Sequence, residues 1–214
     1  MSTDLTIIKN KTLAFLGAAL FLSIMMGLVF IDIVWMNNAL HETSFTEIAQ
    51  ETMLAAIALM FFHRAWRSPV QRPVMVLVGG FFSCMLIREL DFLFDKITHG
   101  SWFWFALALA LACLAQALRQ PRGIVAGLAA FMSHPAWGVM AAGMLTILVF
   151  SRLFGMHQLW EHLMLEGYNR TVKNMAEEGS ELLGYSLCLF ATLSYLWQGK
   201  HNVRHSRTAP DITL

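Results

Sequence analysis

Charge is scarce in this sequence. Asp, Glu, Lys and Arg make up 14% of the residues, where soluble domains carry about 25%, and apolar residues make up 57%. The charges that exist are clustered, with long apolar windows between them, which argues against a water-soluble domain. Cysteine is scarce as well. Cys84, Cys113 and Cys188 each fall inside an apolar segment. Three scattered thiols make neither a disulfide framework nor a CxxC metal pair, and they read as small buried side chains. The net charge of +1, with basic residues not gathered among aromatics, gives no nucleic-acid face. HExxH is absent, and so are internal repeats and inverted symmetry between halves. The fourteen methionines are spread along the whole chain, as packing filler rather than a copper-binding stripe.

What is present is a set of long apolar runs. Six segments, 13–35, 47–66, 74–94, 102–119, 135–153 and 178–197, can each cross roughly 30 Å of hydrocarbon as a helix of about 20 residues. The expected fold is therefore all-α: a polytopic membrane helix bundle of six transmembrane helices over residues 1–199, followed by a polar cytoplasmic tail over 200–214. Lys9 and Lys11 before the first run resemble the start of a signal peptide. That run is too long for such a leader, and no A-x-A-like site follows, so it reads as an uncleaved span. Residues 123–132 are apolar but too short to cross, and are placed at the interface or as an extension of the preceding turn. Residues 156–176 keep helical apolar spacing, with His157, Gln158, Glu161, His162, Arg170 and Lys173 between. They predict an amphipathic helix on the outer face, with Gly167 a candidate break.

Local signals fit these limits. Ser44-Phe45-Thr46-Glu47 reads as a capping box opening the second helix. Pro69, Pro73 and Pro121 punctuate the connections, and Pro135 suits a first helical turn. Gly79, Gly80, Ser83 and Cys84 give small-residue spacing along the third helix, which lets a neighbour approach closely. Orientation follows from the basic residues. Lys9, Lys11, Arg64, Arg67, Arg72, Arg119, Arg122, Lys200, Arg204 and Arg207 collect on one side, against Lys96, Arg152, Arg170 and Lys173 on the other. The ratio of ten to four predicts cytoplasmic N- and C-termini.

The stretch Ile87-Arg88-Glu89-Leu90-Asp91-Phe92-Leu93-Phe94-Asp95 places ionisable groups inside an apolar segment, where each costs about 2.5–3.5 kcal/mol on insertion scales. With the orientation above, Asp32, Glu51, Glu89, Asp91, Glu178 and Glu181 fall on four helices at similar depth, near the outer face. Arg88, Asp91 and Asp95 align with Gly80 and Cys84 on one helical face. Among the deeper groups, Asp32, Glu51, Glu89, Asp91 and Glu181 stand against the single base Arg88. Arg152 can offset one more acid, and the remainder call for protons, water or a cation. Arg88 is expected to bond a carboxylate on another helix, with Glu181 as the first choice. The plain alternative is polar glue between helices, with Glu47, Glu177 and Glu178 as helix starts favoured by the dipole.

The histidines open a catalytic alternative. His157 with Glu161, and His162 with Glu166, are i,i+4 pairs that can face one ion. With intramembrane carboxylates they are candidate ligands for a divalent cation such as Zn²⁺ or Mn²⁺ that activates water. His41 and His99 are expected on the same side. His63, His134, His201 and His205 are expected near the cytoplasmic side.

The segment Lys173-Asn174-Met175-Ala176-Glu177-Glu178-Gly179-Ser180-Glu181-Leu182-Leu183-Gly184-Tyr185 resembles a stretch of uncharacterised bacterial multi-span inner-membrane proteins. Phe150-Ser151-Arg152-Leu153-Phe154-Gly155 and Arg88-Glu89-Leu90-Asp91 add to that resemblance, which implies location in a bacterial inner membrane and brings no activity with it. CPBP-type intramembrane proteases carry EExxxR, but here Glu177-Glu178 is followed at the Arg position by Leu182. Ceramidase-like and adiponectin-receptor-like hydrolases use a histidine-rich zinc site within the helices, for which this chain lacks the histidine set. The leading expectation is an outward-facing acidic cation or proton site, for transport or sensing. The alternatives are a membrane-embedded metal-dependent hydrolase acting on lipid or peptide, and a structural or assembly subunit of a membrane complex. The expected partners are membrane lipids, with a second copy or another membrane protein, and no nucleic acid.

Overall fold

Helices and their connections make up every described part of the computed structural model, which covers residues 2–36 and 44–206, with side chains from 3–36 and 44–197. No strand occurs among the described residues. The fold is all-helical, as the apolar periodicity requires. Three helical stretches, Thr3–Trp35, Phe45–Arg67 and Ala136–Gly155, are long and apolar enough to cross a membrane.

In order, α1 (Ser2–Phe30) passes into a π-turn at Ile31–Trp35, and α2 spans Phe45–Arg67. Then come α3 (Arg72–Glu89), the one-turn α4 (Asp91–Phe94), α5 (Trp102–Leu118) and α6 (Pro121–Met132). α7 (Ala136–Leu145) runs through a second π-turn, Thr146–Phe150, into α8 (Ser151–Gly155). α9 (His157–Met164), a single 3₁₀ turn at Leu165–Gly167 and α10 (Arg170–Ser206) are the last described elements.

Several boundaries depart from the sequence expectation. The expected 74–94 helix ends at Glu89. Leu90 leaves helical geometry at φ −85° and ψ 19°, and Asp91 opens a new turn, where a carboxylate suits the helix start. The register that aligned Asp91 and Asp95 with Gly80 and Cys84 therefore stops at Leu90. The expected amphipathic helix over 156–176 is two pieces. α9 ends where Leu165 takes φ 49°, an uncommon geometry for a non-glycine residue, and residues from Arg170 onward already belong to α10. Residues 123–132 lie in α6, which starts with Pro121 in its first turn and is bent by 104° from α5. The last helix runs to Ser206, beyond the expected end at 197. His41 and residues 207–214 lie outside the described residues, as do the side chains of Lys200, His201, Arg204 and His205.

The chain divides into two compact units, 1–50 with 143–186, and 51–142 with 187–214. The second unit has an apolar interior. Leu54, Ile57 and Phe61 of α2 are fully buried, with Val74, Met75 and Phe82 of α3, Ala117 of α5 and Cys188 of α10. The Phe61 ring lies parallel to that of Phe82 at 6.3 Å and meets Phe131 and Tyr195. α3 comes close to α5 because Gly80 has no side chain: a Cβ there would sit 2.7 Å from Cys113 Sγ. That is the close approach expected of the small-residue face.

The first unit holds fewer buried apolar groups, among them Val29, Ile147, Leu182 and Tyr185. Its interior also contains Asp32, Thr46, Gln50, Ser151 and Glu181. Both units expose large apolar side chains, such as Phe15 at 71% and Trp66 at 85%. An apolar outer surface of this kind suits contact with lipid or with a partner.

Candidate functional site

Two carboxylates organise the first unit. The π-turn at Ile31–Trp35 carries Asp32 into the interior, where it is 1% exposed. Its oxygens accept bonds from the backbone N–H of Phe45 (3.0 Å) and Thr46 (2.8 Å), and from the Thr46 hydroxyl (2.7 Å). Asp32 is thus an anion seated on the N-terminus of α2, whose first N–H groups have no partner within their own helix. Beside it, Ser44 Oγ accepts the Glu47 N–H at 3.1 Å, which is one half of the expected capping box.

The second carboxylate is Glu181, 2% exposed on α10. It forms an ion pair with Arg152 through Oε1. Ser151 Oγ lies 3.1 Å from the same oxygen and 2.5 Å from the Ile147 carbonyl. The π-turn at Thr146–Phe150 immediately precedes this Ser-Arg pair; π-turns inside α-helices are frequent at functional sites. The Arg152 guanidinium is 38% exposed and also comes within 3.9 Å of Glu177 Oε1. Glu177 Oε2 receives Lys173 at 2.8 Å, one turn earlier on α10. Gly155 makes room for this carboxylate, since a Cβ there would sit 2.5 Å from Glu177 Oε1. One turn into α2, the buried Gln50 donates from Nε2 to the Glu178 carbonyl (3.1 Å) and to Glu178 Oε2 (3.2 Å).

The partner found on Glu181 is therefore Arg152, where sequence reasoning expected Arg88. Arg88 is 43% exposed and contacts its neighbour Glu89 at 3.4 Å, not a carboxylate on another helix. Arg88 is a half-solvated end charge because α3 stops one residue later, so the pressure to find an interhelical partner is relieved. Glu51, Arg88, Glu89 and Asp91 belong to the second unit. There, Glu51 lies within electrostatic reach of Glu89. Asp32, Glu178 and Glu181 belong to the first unit, where the segment 44–50 contacts both Asp32 and Glu178.

The four candidate metal ligands do not converge. His157 Nε2 is 3.0 Å from Glu161 Oε1, and its Nδ1 is 2.9 Å from the Tyr168 hydroxyl. His162 Nδ1 is instead 2.9 Å from the Gln158 carbonyl of its own helix. Glu166 sits beyond α9, in the turn that Leu165 opens. Among the described residues, no group of three His, Cys, Asp or Glu side chains is arranged to hold a metal ion. The i,i+4 spacing needs a continuous helix through Glu166 to work, and the helix ends at Met164.

Sequence reasoning passed over Thr46, Gln50 and Ser151. Thr46 and Gln50 are four residues apart on a helix that is apolar from Met53 to Phe62. A polar i,i+4 pair on a buried stripe is the signal that would have found them.

Comparison with family models, with curated proteins and with solved structures finds no match to this chain.

Proposed function

We propose that the chain is a multi-span protein of a bacterial inner membrane that takes up and releases a proton at Glu181, for transport or sensing. The supporting observation is the position of Ser151. Its single hydroxyl proton can point to the Ile147 carbonyl or to Glu181 Oε1, both within bonding distance. In the first state Ser151 offers Glu181 a lone pair, which suits a protonated acid. In the second it donates, which suits the carboxylate.

Arg152 supports the same reading. A guanidinium cannot shed its charge, so neutralising Glu181 requires another anion for it. Glu177 is that anion, already 3.9 Å away. Glu177, Glu178 and Glu181 stand against Arg152 and Lys173, leaving one formal negative charge that a proton balances.

Six crossings are our reading of the topology. α3 is 18 residues long and fails as an unbroken apolar span because Arg72, Arg88 and Glu89 lie at its ends. α5 is 17 residues, about 26 Å at 1.5 Å per residue. Residues 182–199 of α10 contain no Asp, Glu, Lys or Arg. The ten-to-four basic bias supports cytoplasmic termini, and the resemblance of 173–185 supports the bacterial membrane.

The test is proton uptake by purified protein in liposomes holding a pH-sensitive dye, with Glu181→Gln as the variant. The amide keeps shape and hydrogen bonding but cannot titrate. We expect the variant to fold and proton uptake to vanish. Uptake at the original rate in Glu181→Gln would overturn the reading and favour polar glue, as in an assembly subunit. The completed bonds of Asp32 are the observation on that side.

A further inference from the structure

Within the second unit, the end of α2 and residues 193–197 of α10 line an open groove of about 580 Å³. Its apolar wall includes Leu59, Leu196 and Trp197, and its polar lining is His63, Arg64 and Arg67. That volume falls in the range of about 300–1,000 Å³ that suits a small ligand. His63 and Arg67 are one turn apart, and Arg64 is three residues before Arg67, so the three donors gather toward one side of the helix.

Their partners are unevenly assigned. Arg64 Nε donates to Gln71 Oε1 at 3.1 Å, and the nearby Arg72 Nε donates to the Ala65 carbonyl at 3.2 Å. Arg67 makes no side-chain hydrogen bond or ion pair among the described residues. Along the two segments that line it, the sequence has no Asp or Glu between Glu51 and Glu89, and none over 182–206. The groove therefore combines two guanidinium groups, with no acid among its lining residues, and an apolar wall. Trp66 and Trp197 lie exposed at its level on the two helices, at 85% and 73%. Tryptophan is enriched where the hydrocarbon of a bilayer meets its headgroups.

We propose that this groove holds an anionic phospholipid, with its phosphate on Arg64 and Arg67 and its acyl chain along Leu59, Leu196 and Trp197. Guanidinium groups match phosphate oxygens in a bidentate fork, and basic pockets between membrane helices on the cytoplasmic side take anionic headgroups. A free phosphate would use the arginines and leave the apolar wall empty. A zwitterionic lipid would bring its own cation to a site already positive. The proposal rests on the chain being a membrane protein, but not on proton uptake at Glu181.

The test is equilibrium binding to the full-length chain, delipidated in neutral detergent and read by native mass spectrometry. The probes are phosphatidylglycerol, phosphatidylcholine and inorganic phosphate. We expect retention of phosphatidylglycerol over the other two, and a loss of about fivefold in affinity for each arginine removed, in Arg67→Gln and then Arg64→Gln/Arg67→Gln. Arg67→Gln breaks no side-chain bond among the described residues, so it stands as the test if the double variant does not fold. Equal retention of phosphatidylcholine, binding of inorganic phosphate as tight as that of lipid, or an unchanged affinity in Arg67→Gln would each overturn the proposal. A negative result in the liposome proton assay leaves this measurement readable, because binding in detergent needs no proton flux.

Discussion

The two units bury opposite kinds of side chain. Of the eight buried polar or charged residues among the described residues, seven belong to the first unit: Asp32, Ser44, Thr46, Gln50, Ser151, Glu181 and Ser186. Thr192 is the one in the second. The second unit instead closes over Leu54, Ile57, Phe61, Phe82 and Met140. Dispersion and close packing hold an interior of that second kind, and no single atom in it needs a particular partner. In the first kind, every oxygen must be answered, because an unmet buried polar group costs about 1–3 kcal/mol. Asp32 is met by three donors and Glu181 by Ser151 and Arg152. A chain with so few charges that gathers its buried ones in one unit has concentrated both cost and chemistry there.

The largest effects should separate the two interiors. Phe61→Ala removes a fully buried ring that meets Phe82, Phe131 and Tyr195, and large-to-small changes of this type cost about 3–5 kcal/mol. Thermal unfolding in detergent should show this as the most damaging of the substitutions discussed. Glu181→Gln should lower stability by less than about 1 kcal/mol, since the amide still meets Ser151 and Arg152, partly exposed, can turn to Glu177 and water. If Glu181→Gln proves as damaging as Phe61→Ala, the polar interior is structural and the contrast between the units fails.

The second prediction compares glycines. A Cβ on Gly184, in the first unit, would collide with the Ile147 side chain and lie 2.9 Å from the Gly143 carbonyl oxygen. On Gly80, in the second unit, it would meet only Cys113, at Sγ and Cβ. Overpacking costs about 1–3 kcal/mol. Gly184→Ala belongs at the top of that range, because backbone cannot rotate aside. Gly80→Ala belongs lower and should be relieved by Cys113→Ala, which Gly184→Ala has no equivalent for. Unfolding midpoints of Gly80→Ala and of the Gly80→Ala/Cys113→Ala pair read this directly. No recovery in the double variant would show that the second unit yields no more easily than the first.

Much of the helical fold was legible in the sequence, because it rests on local signals. Apolar run length marked the stretches of α1, α2 and α7 through α8, Gln120-Pro121 marked the end of α5, and Gly79-Gly80 marked a close-packed face. The charged sites were legible only as a list of residues. Arg152, the partner of Glu181, follows a π-turn, and Arg88 lies where α3 stops; a 3.6-residue period reveals neither feature. The pairing of Arg88 with Glu181 presumed a helix continuing past Leu90. The metal alternative presumed one continuing past Met164. Both helices ended earlier, and in each case the register built on them ended too.

The smallest effect concerns two carboxylates that accept backbone N–H groups, one per unit. Asp32 does so in the interior. Asp95 does so at the surface, where Oδ1 accepts the Gly100 N–H at 2.8 Å and Oδ2 lies 2.9 Å from His99 Nδ1. The Gly100 bond, which outweighs the opposing effect of desolvation, holds the Asp95 carboxyl below the ordinary aspartate value of 3.8, and the His99 ring adds to the lowering. A lowered pKa means that the folded chain favours the charged form. The contribution of this group to folding is therefore present above the ordinary value and is lost as pH falls through the lowered one. Because Asp95 is solvent-exposed, its effect on the global unfolding midpoint should be small, and the signal is sought in its own loop. The measurement is the amide resonance of Gly100 followed through acid titration in detergent. It should shift with a midpoint below 3.8, and Asp95→Asn should abolish the shift. A midpoint at or above 3.8 would mean that the exposed loop does not select the charged carboxylate.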